Sequence, residues 1–387
     1  MAFTLTVEMT FLLAVAIFWI VLYVIARVFH LDKHGLEVQP GYFMYKSTAF
    51  NSYIDRLAKK RRFLWLVLSN IGLAFSIGLM TMSFYILGIN LVRFVVPAAG
   101  QAGPVFPAIP VLFIRLYWLP YFFFAAAVIM VTHELAHGIT ARLEGIPVLS
   151  TGILAFILLF GAFVEPDEKE FEKVSILGRL RMLAAGSSTN LVTALLVILL
   201  MTGLFVPTSS GVLVQEVSGG SPASNAGIGQ WDVIRAINGT PVLFPQNYSS
   251  FTSRIKPGDY IALTVLHGNE EVTKILQTEA DPSNSSRAII GVFLGDIYRQ
   301  NRLGLDQYSG VNLYLTMFWT YLLGISVSIF NMLPAYPFDG ERFLYYPLAS
   351  LVKKRKRELR WALNAIAWGL FALNVIFTFF IFGLASI

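Results

Sequence analysis

The most constraining feature of the chain is an apolar run, residues 117–141, that contains His133, Glu134 and His137. The run is long enough to cross a membrane as a helix, where ionisable side chains are unfavourable unless something compensates them. On a helix, His133 and His137 lie one turn apart on the same face, so both imidazoles can bind one zinc ion. Glu134 lies beside them as a general base. The pattern predicts a metalloprotease whose active site is inside the membrane.

The composition is that of a membrane protein with a soluble part. Hydrophobic residues make up 56% of the 387 residues and charged residues 13%, against roughly 25% charged residues in an ordinary soluble domain. Cysteine is absent, which excludes disulfides and thiolate ligands, so a metal must be held by His, Asp or Glu. The N-terminus lacks the basic region of a cleavable signal peptide, and we expect the first apolar run to remain as an anchor.

The chain contains six apolar runs of about 20 residues, the length that crosses a hydrocarbon core roughly 30 Å thick. The predicted spans are 11–28, 63–87, 118–141, 182–206, 311–333 and 361–382. Residues 85–110 are also apolar, but proline and glycine interrupt them, so this segment is expected to be re-entrant or interfacial. The predicted fold class is a polytopic α-helical membrane protein of about six spans.

Basic residues predict the orientation, because Lys and Arg concentrate in cytoplasmic loops. One basic loop covers 27–62 and a second basic run covers 353–357. If both are cytoplasmic, the two termini and the segment after the fourth span are extracytoplasmic. The active site then lies toward the cytoplasmic side. Each basic run is also compatible with a simple solvated or headgroup-facing surface.

Residues 147–163 are apolar, rich in β-branched and aromatic side chains, and flanked by glycine and proline. A full crossing here would break the charge alternation. We expect two short strands that turn near Gly152 and form a hairpin dipping into the membrane. Such backbone is tolerated at that depth only where protein or a water-filled cavity covers it. A helix lying on the membrane surface is the alternative.

Residues 208–282 are polar and rich in turns, with the alternating pattern of strands. Strands are expected at 211–217, 233–239 and 260–267, and a short helix at 221–227. We predict a small β-rich domain inserted between the fourth and fifth spans. The predicted boundaries are 1–116 for an N-terminal membrane region, 117–207 and 311–387 for the two parts of a catalytic core, 208–282 for the β-rich domain and 283–310 for a linker.

A third metal ligand is expected after the fifth span, where Asp339 is the first acidic residue. Catalytic zinc takes three protein ligands and keeps a fourth position for water. Asp339 completes the set if the third and fifth spans pack together. It could instead be a turn or cap residue after Pro337, and Glu341 follows it as another carboxylate.

These residues resemble the site-2 protease family of intramembrane zinc metalloproteases from about 118 to 339. The shared motifs are HELAHG at 133–138, the segments 161–166 and 185–190, and N-x-x-P-x-x-x-x-D-G at 331–340. The insert resembles a PDZ module at 220–223, 225–227, 232–234 and 237–239. Two positions depart from the usual patterns: Ser187 stands where proline is common, and Trp231 stands where glycine is common.

The resemblance implies that the two histidines and Asp339 bind zinc and that Glu134 is catalytic. It implies that Asn331 helps to hold the substrate backbone near the metal, and that the 148–164 hairpin presents an edge strand to the substrate. It also implies that the inserted domain is PDZ-like, and the charge alternation predicts that this domain is extracytoplasmic. Asn190 is most simply a hydrogen-bonding residue between membrane helices, with substrate binding as its alternative role.

The predicted function is that of an intramembrane zinc endopeptidase that cleaves transmembrane helices in regulated intramembrane proteolysis. Another membrane zinc peptidase, such as a prenyl-protein type, is disfavoured by the Asp-Gly motif and the insert. A non-catalytic membrane scaffold that binds peptides through the PDZ-like domain is disfavoured by Glu134, which a pseudoenzyme does not need. The expected partners are single-span membrane protein substrates and the lipid bilayer, without nucleic acid. The expected location is the plasma membrane of a prokaryote.

Overall fold

The computed structural model describes residues 7–96, 100–105, 114, 116–157, 159–352 and 354–382. The chain forms two compact units, Met1–Leu195 with Trp319–Ile387, and Leu196–Phe318. All the predicted site residues belong to the first unit.

The described residues contain eleven α-helices and twelve β-strands. The helices are α1 (Val7–Val28), α2 (Asn51–Lys60), α3 (Arg62–Val95), α4 (Leu119–Leu143), α5 (Glu168–Lys173), α6 (Ile176–Leu204), α7 (Pro222–Asn225), α8 (Pro245–Thr252), α9 (Gln307–Phe330), α10 (Asp339–Leu351) and α11 (Lys356–Phe382). The strands are β1 (Leu36–Gln39), β2 (Tyr42–Ser47), β3 (Val148–Phe156), β4 (Leu159–Pro166), β5 (Val212–Val217), β6 (Val233–Ile237), β7 (Thr240–Pro241), β8 (Tyr260–His267), β9 (Glu270–Gln277), β10 (Glu279–Asp281), β11 (Asn284–Ile289) and β12 (Val292–Ile297).

Among the described residues, six helices are long and apolar enough to cross a membrane. They are Met9–Val28, Arg62–Val95, Leu116–Leu143, Ile176–Leu204, Gln307–Phe330 and Lys356–Phe382. They coincide with the six predicted spans, and the predicted fold class of a polytopic helical membrane protein is confirmed.

The segment 85–110 differs in part from the expectation of a re-entrant or interfacial piece. Its first residues continue α3, so the second span ends at Val95. Asn90 of α3 donates from Nδ2 to the carbonyl oxygen of Gly103 over 2.9 Å. Residues 97–99 and 106–110 lie outside the described residues, as does Lys353 of the second basic run.

The predicted hairpin is present as β3 and β4, which pair antiparallel up to Phe156 and Leu159. The expected turn near Gly152 is wrong, because Gly152 lies inside β3 and pairs with Phe163. A Cβ on Gly152 would lie 2.0 Å from the carbonyl oxygen of Tyr45, so this glycine permits the close approach of β2 rather than a turn. The hairpin also joins β1 and β2 from the basic loop in a sheet of order β1-β2-β3-β4. β4 is therefore an edge strand.

A buried cluster packs α4, α6 and α10 together beside this sheet. Ala141 of α4, Met182 of α6 and Phe343 of α10 belong to it. Burial of such side chains is the main favourable contribution to packing within a protein interior. The cluster packs together the three helices that carry His133, Glu134, His137, Asn190 and Asp339.

The second unit contains a six-stranded sheet of order β12-β5-β6-β8-β9, with β7 paired to β6. Alternate residues of β8 (Ile261, Leu263 and Val265) are buried in its core, as the period of a strand requires. The strands expected at 211–217, 233–239 and 260–267 are β5, β6 and β8, and the expected short helix is α7.

The segment 283–310, expected to be a linker, differs from that expectation. It contains β11 and β12, and β12 pairs antiparallel with β5 of the domain. The pairing shifts register between Phe293 and Leu294 and again before Ile297, and such irregularities remove the simple alternation by which a strand is recognised. The other domain boundaries remain predictions.

Candidate metal centre

Two imidazoles face each other from consecutive turns of α4. The helix begins at Leu119 with a proline in its first turn and continues to Leu143. The Nε2 atoms of His133 and His137 lie 3.0 Å apart. His137 is buried and His133 is half-buried. The i, i+4 spacing thus brings both rings to one point.

The loop between α9 and α10 brings Asp339 to the two imidazoles. Its Oδ2 atom lies 3.0 Å from Nε2 of His137 and 3.3 Å from Nε2 of His133. The backbone N–H of Gly340 donates to the carbonyl oxygen of Asn331 over 2.9 Å and closes the loop. A Cβ on Gly340 would lie 2.2 Å from the carbonyl oxygen of Met332 in the same loop. The glycine after Asp339 therefore allows the carboxylate to reach the histidines.

Hydrogen bonds behind the rings determine which nitrogen faces the carboxylate. Nδ1 of His137 lies 2.7 Å from the carbonyl oxygen of Met182, which can only accept, so Nδ1 carries the ring proton. Nδ1 of His133 lies 3.0 Å from Nδ2 of Asn190, whose Oδ1 is buried without a hydrogen-bond partner among the described residues. Rotation of this amide by half a turn lets Oδ1 accept the Nδ1 proton. Both rings then present an Nε2 lone pair.

Three electron-pair donors therefore converge. The two Nε2 atoms and the carboxylate oxygen of Asp339 all lie within 4.8 Å of one another. Lone pairs at such distances repel unless a cation lies between them. Donation of the remote ring N–H to a carbonyl is the usual support of a metal-binding histidine. The residues present therefore fit a metal ion with two nitrogen ligands and one oxygen ligand.

Asn331 joins the centre from the end of α9. Its Nδ2 donates to Oδ2 of Asp339 over 2.7 Å and lies 3.3 Å from Oγ of Ser187. The same nitrogen lies 3.3 Å from Nε2 of His133. In this arrangement the amide positions the carboxylate. Its expected role in holding a substrate backbone remains a prediction.

Glu134 lies next to the ligands but faces the sheet. Its Oε2 accepts a hydrogen bond of 2.9 Å from the backbone N–H of Val164 in β4. Val164 can donate in this direction because β4 is the edge strand of its sheet. The carboxylate therefore lies between the converging donors and an open strand edge.

Sequence reasoning missed the role of Gly186 in α6. A Cβ on Gly186 would lie 2.4 Å from Cε1 and Nε2 of His133 and 2.5 Å from Nε2 of His137. Only glycine leaves room for the two rings at this position. Ser187, noted as a departure from a common proline, contributes its hydroxyl to the Asn331 amide. A glycine in the middle of an apolar helix was the available signal.

Glu341, the alternative carboxylate, is used elsewhere. It is 1% exposed and forms two hydrogen bonds with Arg360 of α11, of 2.6 and 2.8 Å. Such a bidentate pair satisfies a buried carboxylate. Of Asp339 and Glu341, only Asp339 is near the histidines.

A second ion pair anchors α10 to α5. Arg342 donates two hydrogen bonds to Glu168, of 2.9 and 2.8 Å, and its guanidinium lies 4.5 Å from the ring centre of Phe171. Burial lowers the pKa of Arg342, but the interactions with Glu168 and Tyr346 together outweigh it and raise the pKa above its ordinary value. The anchor therefore stays charged, and it holds the helix that begins with Asp339.

A cavity of about 370 Å³ opens beside the centre, between α4, β4 and α9. His133, Glu134, Asn190 and Asn331 form its polar end. The rest of its wall is apolar. A molecule in this cavity would reach the Glu134 carboxylate and the converging donors together.

Comparison with known families identifies a match over most of this region. The model described as Peptidase family M50 matches residues 121–376. An uncharacterized protein of Methanocaldococcus jannaschii is 28% identical over 354 residues, which are 90% of this chain and 87% of that protein.

Further similarities are confined to a part of the chain. A DegP-like periplasmic serine endoprotease of Rhizobium meliloti is 32% identical over 77 residues, 20% of this chain and 15% of that protein. The PDZ domain of an SdrC-like protein of Listeria monocytogenes is 24% identical, covering 23% of this chain and 92% of that domain with a TM-score of 0.21. The corresponding domain of Listeria innocua is 23% identical, covering 23% of this chain and 99% of that domain, also with a TM-score of 0.21.

Proposed function

The chain belongs to peptidase family M50, the site-2 protease family, and on that premise we propose that it is a zinc endopeptidase. Its substrates would be membrane-spanning helices cleaved in regulated intramembrane proteolysis. Family membership supplies the general function, an intramembrane metalloprotease. The observation that carries the finer proposal is the convergence of His133, His137 and Asp339 on one point.

The donor set supports zinc as the metal. Two imidazole nitrogens and one carboxylate oxygen form a common ligand set of catalytic zinc, which keeps a fourth position open. Magnesium and calcium prefer oxygen ligands throughout. When bound, zinc would lower the pKa of a water molecule and polarise the scissile carbonyl.

Glu134 is the proposed general base and acid. Its carboxylate is adjacent to the ligands in sequence and lines the cavity. In this role it accepts a proton from the attacking water and passes it to the nitrogen of the leaving amine. Asn331 and Asn190 are proposed to assist substrate binding at the polar end of the cavity, in addition to the contacts they make with the ligands.

The edge of β4 is the proposed docking strand. A helical substrate hides its carbonyls in i to i−4 hydrogen bonds and must unwind before hydrolysis. Along an antiparallel strand, the N–H and C=O groups of successive residues point alternately toward the partner strand and away from it. The N–H and C=O groups of Phe160 and Ala162 therefore point away from β3, as those of Val164 do. A substrate paired with this edge keeps its backbone hydrogen bonds satisfied. A substrate carbonyl would accept the hydrogen bond from the Val164 N–H in place of Glu134. The Glu134 carboxylate would then be free to act as the base.

The proposed location is the plasma membrane of a prokaryote. The two basic runs support a topology with cytoplasmic loops at 27–62 and 353–357 and with extracytoplasmic termini. In this topology the PDZ-like domain is extracytoplasmic and the active site lies toward the cytoplasm. The domain would then select substrates outside the membrane.

Co-expression with candidate single-span proteins tests the proposal. Wild type should release a cleaved product, and purified wild type should contain one zinc ion per chain. Glu134→Gln should keep its zinc and lose cleavage, because the amide cannot accept the proton. His137→Ala should lose zinc as well as cleavage.

Two outcomes would contradict the proposal. Cleavage by Glu134→Gln at the wild-type rate would require another base. Absence of cleavage by a wild-type protein that binds the candidates would favour the non-catalytic scaffold.

A further inference from the structure

The cavity beside the metal centre has an apolar part that the reaction itself does not use. Its wall comes from α4, α9 and the edge strand β4, and it is continuous with the polar end that holds Glu134. The apolar side chains that define this side pocket are Phe122, Ala126, Ile129, Met130, Leu323 and Val327.

The side pocket begins within one helical turn of the reacting groups. Ile129 and Met130 precede His133 and Glu134 by four residues each, so they lie on the same face of α4, about 6 Å along its axis. Ala126 lies one further turn away. A side chain in the side pocket therefore belongs to a residue next to the scissile bond rather than to a remote part of the substrate.

The chemistry of the wall specifies the occupant. The charged or ionisable side chains around the cavity are His133 and Glu134, both at its polar end. Burying a charged side chain against the apolar remainder is unfavourable, whereas a large apolar side chain loses contact with water or lipid and gains close packing. A volume of about 370 Å³ leaves space for a side chain such as Leu, Met or Phe.

We propose that the side pocket binds a large apolar side chain adjacent to the scissile bond and so selects the cleavage position. This inference rests on the proposed proteolytic function. Ala126 is the specificity-determining residue, because its small side chain leaves open the middle of the wall. Phe122, one helical turn before Ala126, and Leu323 of α9 also line the side pocket.

Ala126→Leu tests the inference by filling the side pocket. The substrates are two single-span reporters that differ only in Phe or Ala next to the cut. Wild type should prefer the Phe reporter in kcat/KM by at least about 10- to 200-fold, because a single methylene in an apolar pocket already contributes this much. Ala126→Leu should lower this preference at least about tenfold, because kcat/KM for the Phe reporter should fall more than kcat/KM for the Ala reporter.

The neighbouring residue offers a matched control. Ala127 lies on the same helix but lines a different cavity, between α1 and the sheet. Ala127→Leu adds the same group and should keep the wild-type preference. Val327→Phe fills the side pocket from α9, where Val327 is exposed, and should lower the preference even if Ala126→Leu does not fold.

A binding measurement separates recognition from catalysis. In the Glu134→Gln background, Ala126→Leu should weaken binding of the Phe-containing segment and leave binding of the Ala-containing segment unchanged. Wild-type preference in folded, zinc-containing Ala126→Leu and Val327→Phe would overturn the side-pocket assignment and leave the proposed function standing. Cleavage that Glu134→Gln does not abolish would instead count against the proposed function.

Discussion

Replacing Gly186 by alanine would place a methyl group inside the candidate metal centre. The new Cβ would lie 2.4 Å from two ring atoms of His133 and 2.5 Å from Nε2 of His137. The neighbouring atoms belong to rigid imidazole rings rather than to the ends of flexible side chains, and they include both Nε2 atoms that are proposed to bind the metal. The rings, the helix or both must move.

The effect of the substitution on zinc affinity depends on two contributions of opposite sign, helix propensity and steric overlap. Alanine is a better helix former than glycine by about 1 kcal/mol, so propensity alone predicts a more stable α6. Nonbonded atoms separate to roughly 3.5 Å at optimal contact, so the contacts of 2.4 Å require a shift of about 1 Å. Metal ligands tolerate departures of about 0.2 Å. The collision therefore dominates, and we expect zinc affinity to fall about 100-fold or more.

The assay is competition with a zinc chelator on purified protein in detergent, together with cleavage of a single-span substrate. Gly203→Ala is the matched control, since it makes the same change in the same helix and its Cβ meets no heavy atom of the described residues within 4 Å. The control should bind zinc like wild type. If Gly186→Ala binds zinc as tightly as Gly203→Ala, the two rings do not form the metal centre in this arrangement.

Three further substitutions test the support of the centre, the docking strand and α10. Asn190→Ala removes the amide behind His133 and should lower zinc affinity about 10- to 100-fold in the same competition assay; unchanged affinity would leave Asn190 as a packing residue. Ala162→Pro removes an outward N–H of β4 and should abolish cleavage of spanning substrates with zinc retained, so continued cleavage would exclude this edge as the docking strand. Arg360→Met leaves Glu341 buried at 1% exposure without its partner and should lower the unfolding free energy in detergent by about 2–3 kcal/mol. This loss is smaller than the roughly 3–5 kcal/mol lost when a fully buried pair is broken, because Arg360 is half-exposed. Glu341→Gln added to Arg360→Met should restore most of the lost stability. If it does not, the loss comes from the packing of Arg360 and not from the unpaired carboxylate.

The sequence by itself determined the features that depend on neighbouring residues. The six spans are local, because about 20 consecutive apolar residues suffice to cross the bilayer as a helix. The proximity of His133 and His137 is local too, because the helical period alone places residues four apart on one face. The strands β5, β6 and β8 followed from alternation and turn residues within short segments.

Only the tertiary structure decided the features that depend on packing between distant segments. Asp339 and His137 are 202 residues apart in the chain, and only the fold brings their side chains together. The need for glycine at position 186 is evident only when both imidazole rings lie against α6. The prediction of a turn near Gly152 is wrong, because this glycine accommodates a carbonyl group of β2, a strand from another part of the chain. We expected a linker where β12 lies. The register shifts of β12 against β5 disrupt the alternation by which a strand is recognised, and β5 belongs to an earlier segment of the chain. Local patterns specify which groups a helix or strand presents, whereas contacts across the fold decide which of those groups meet.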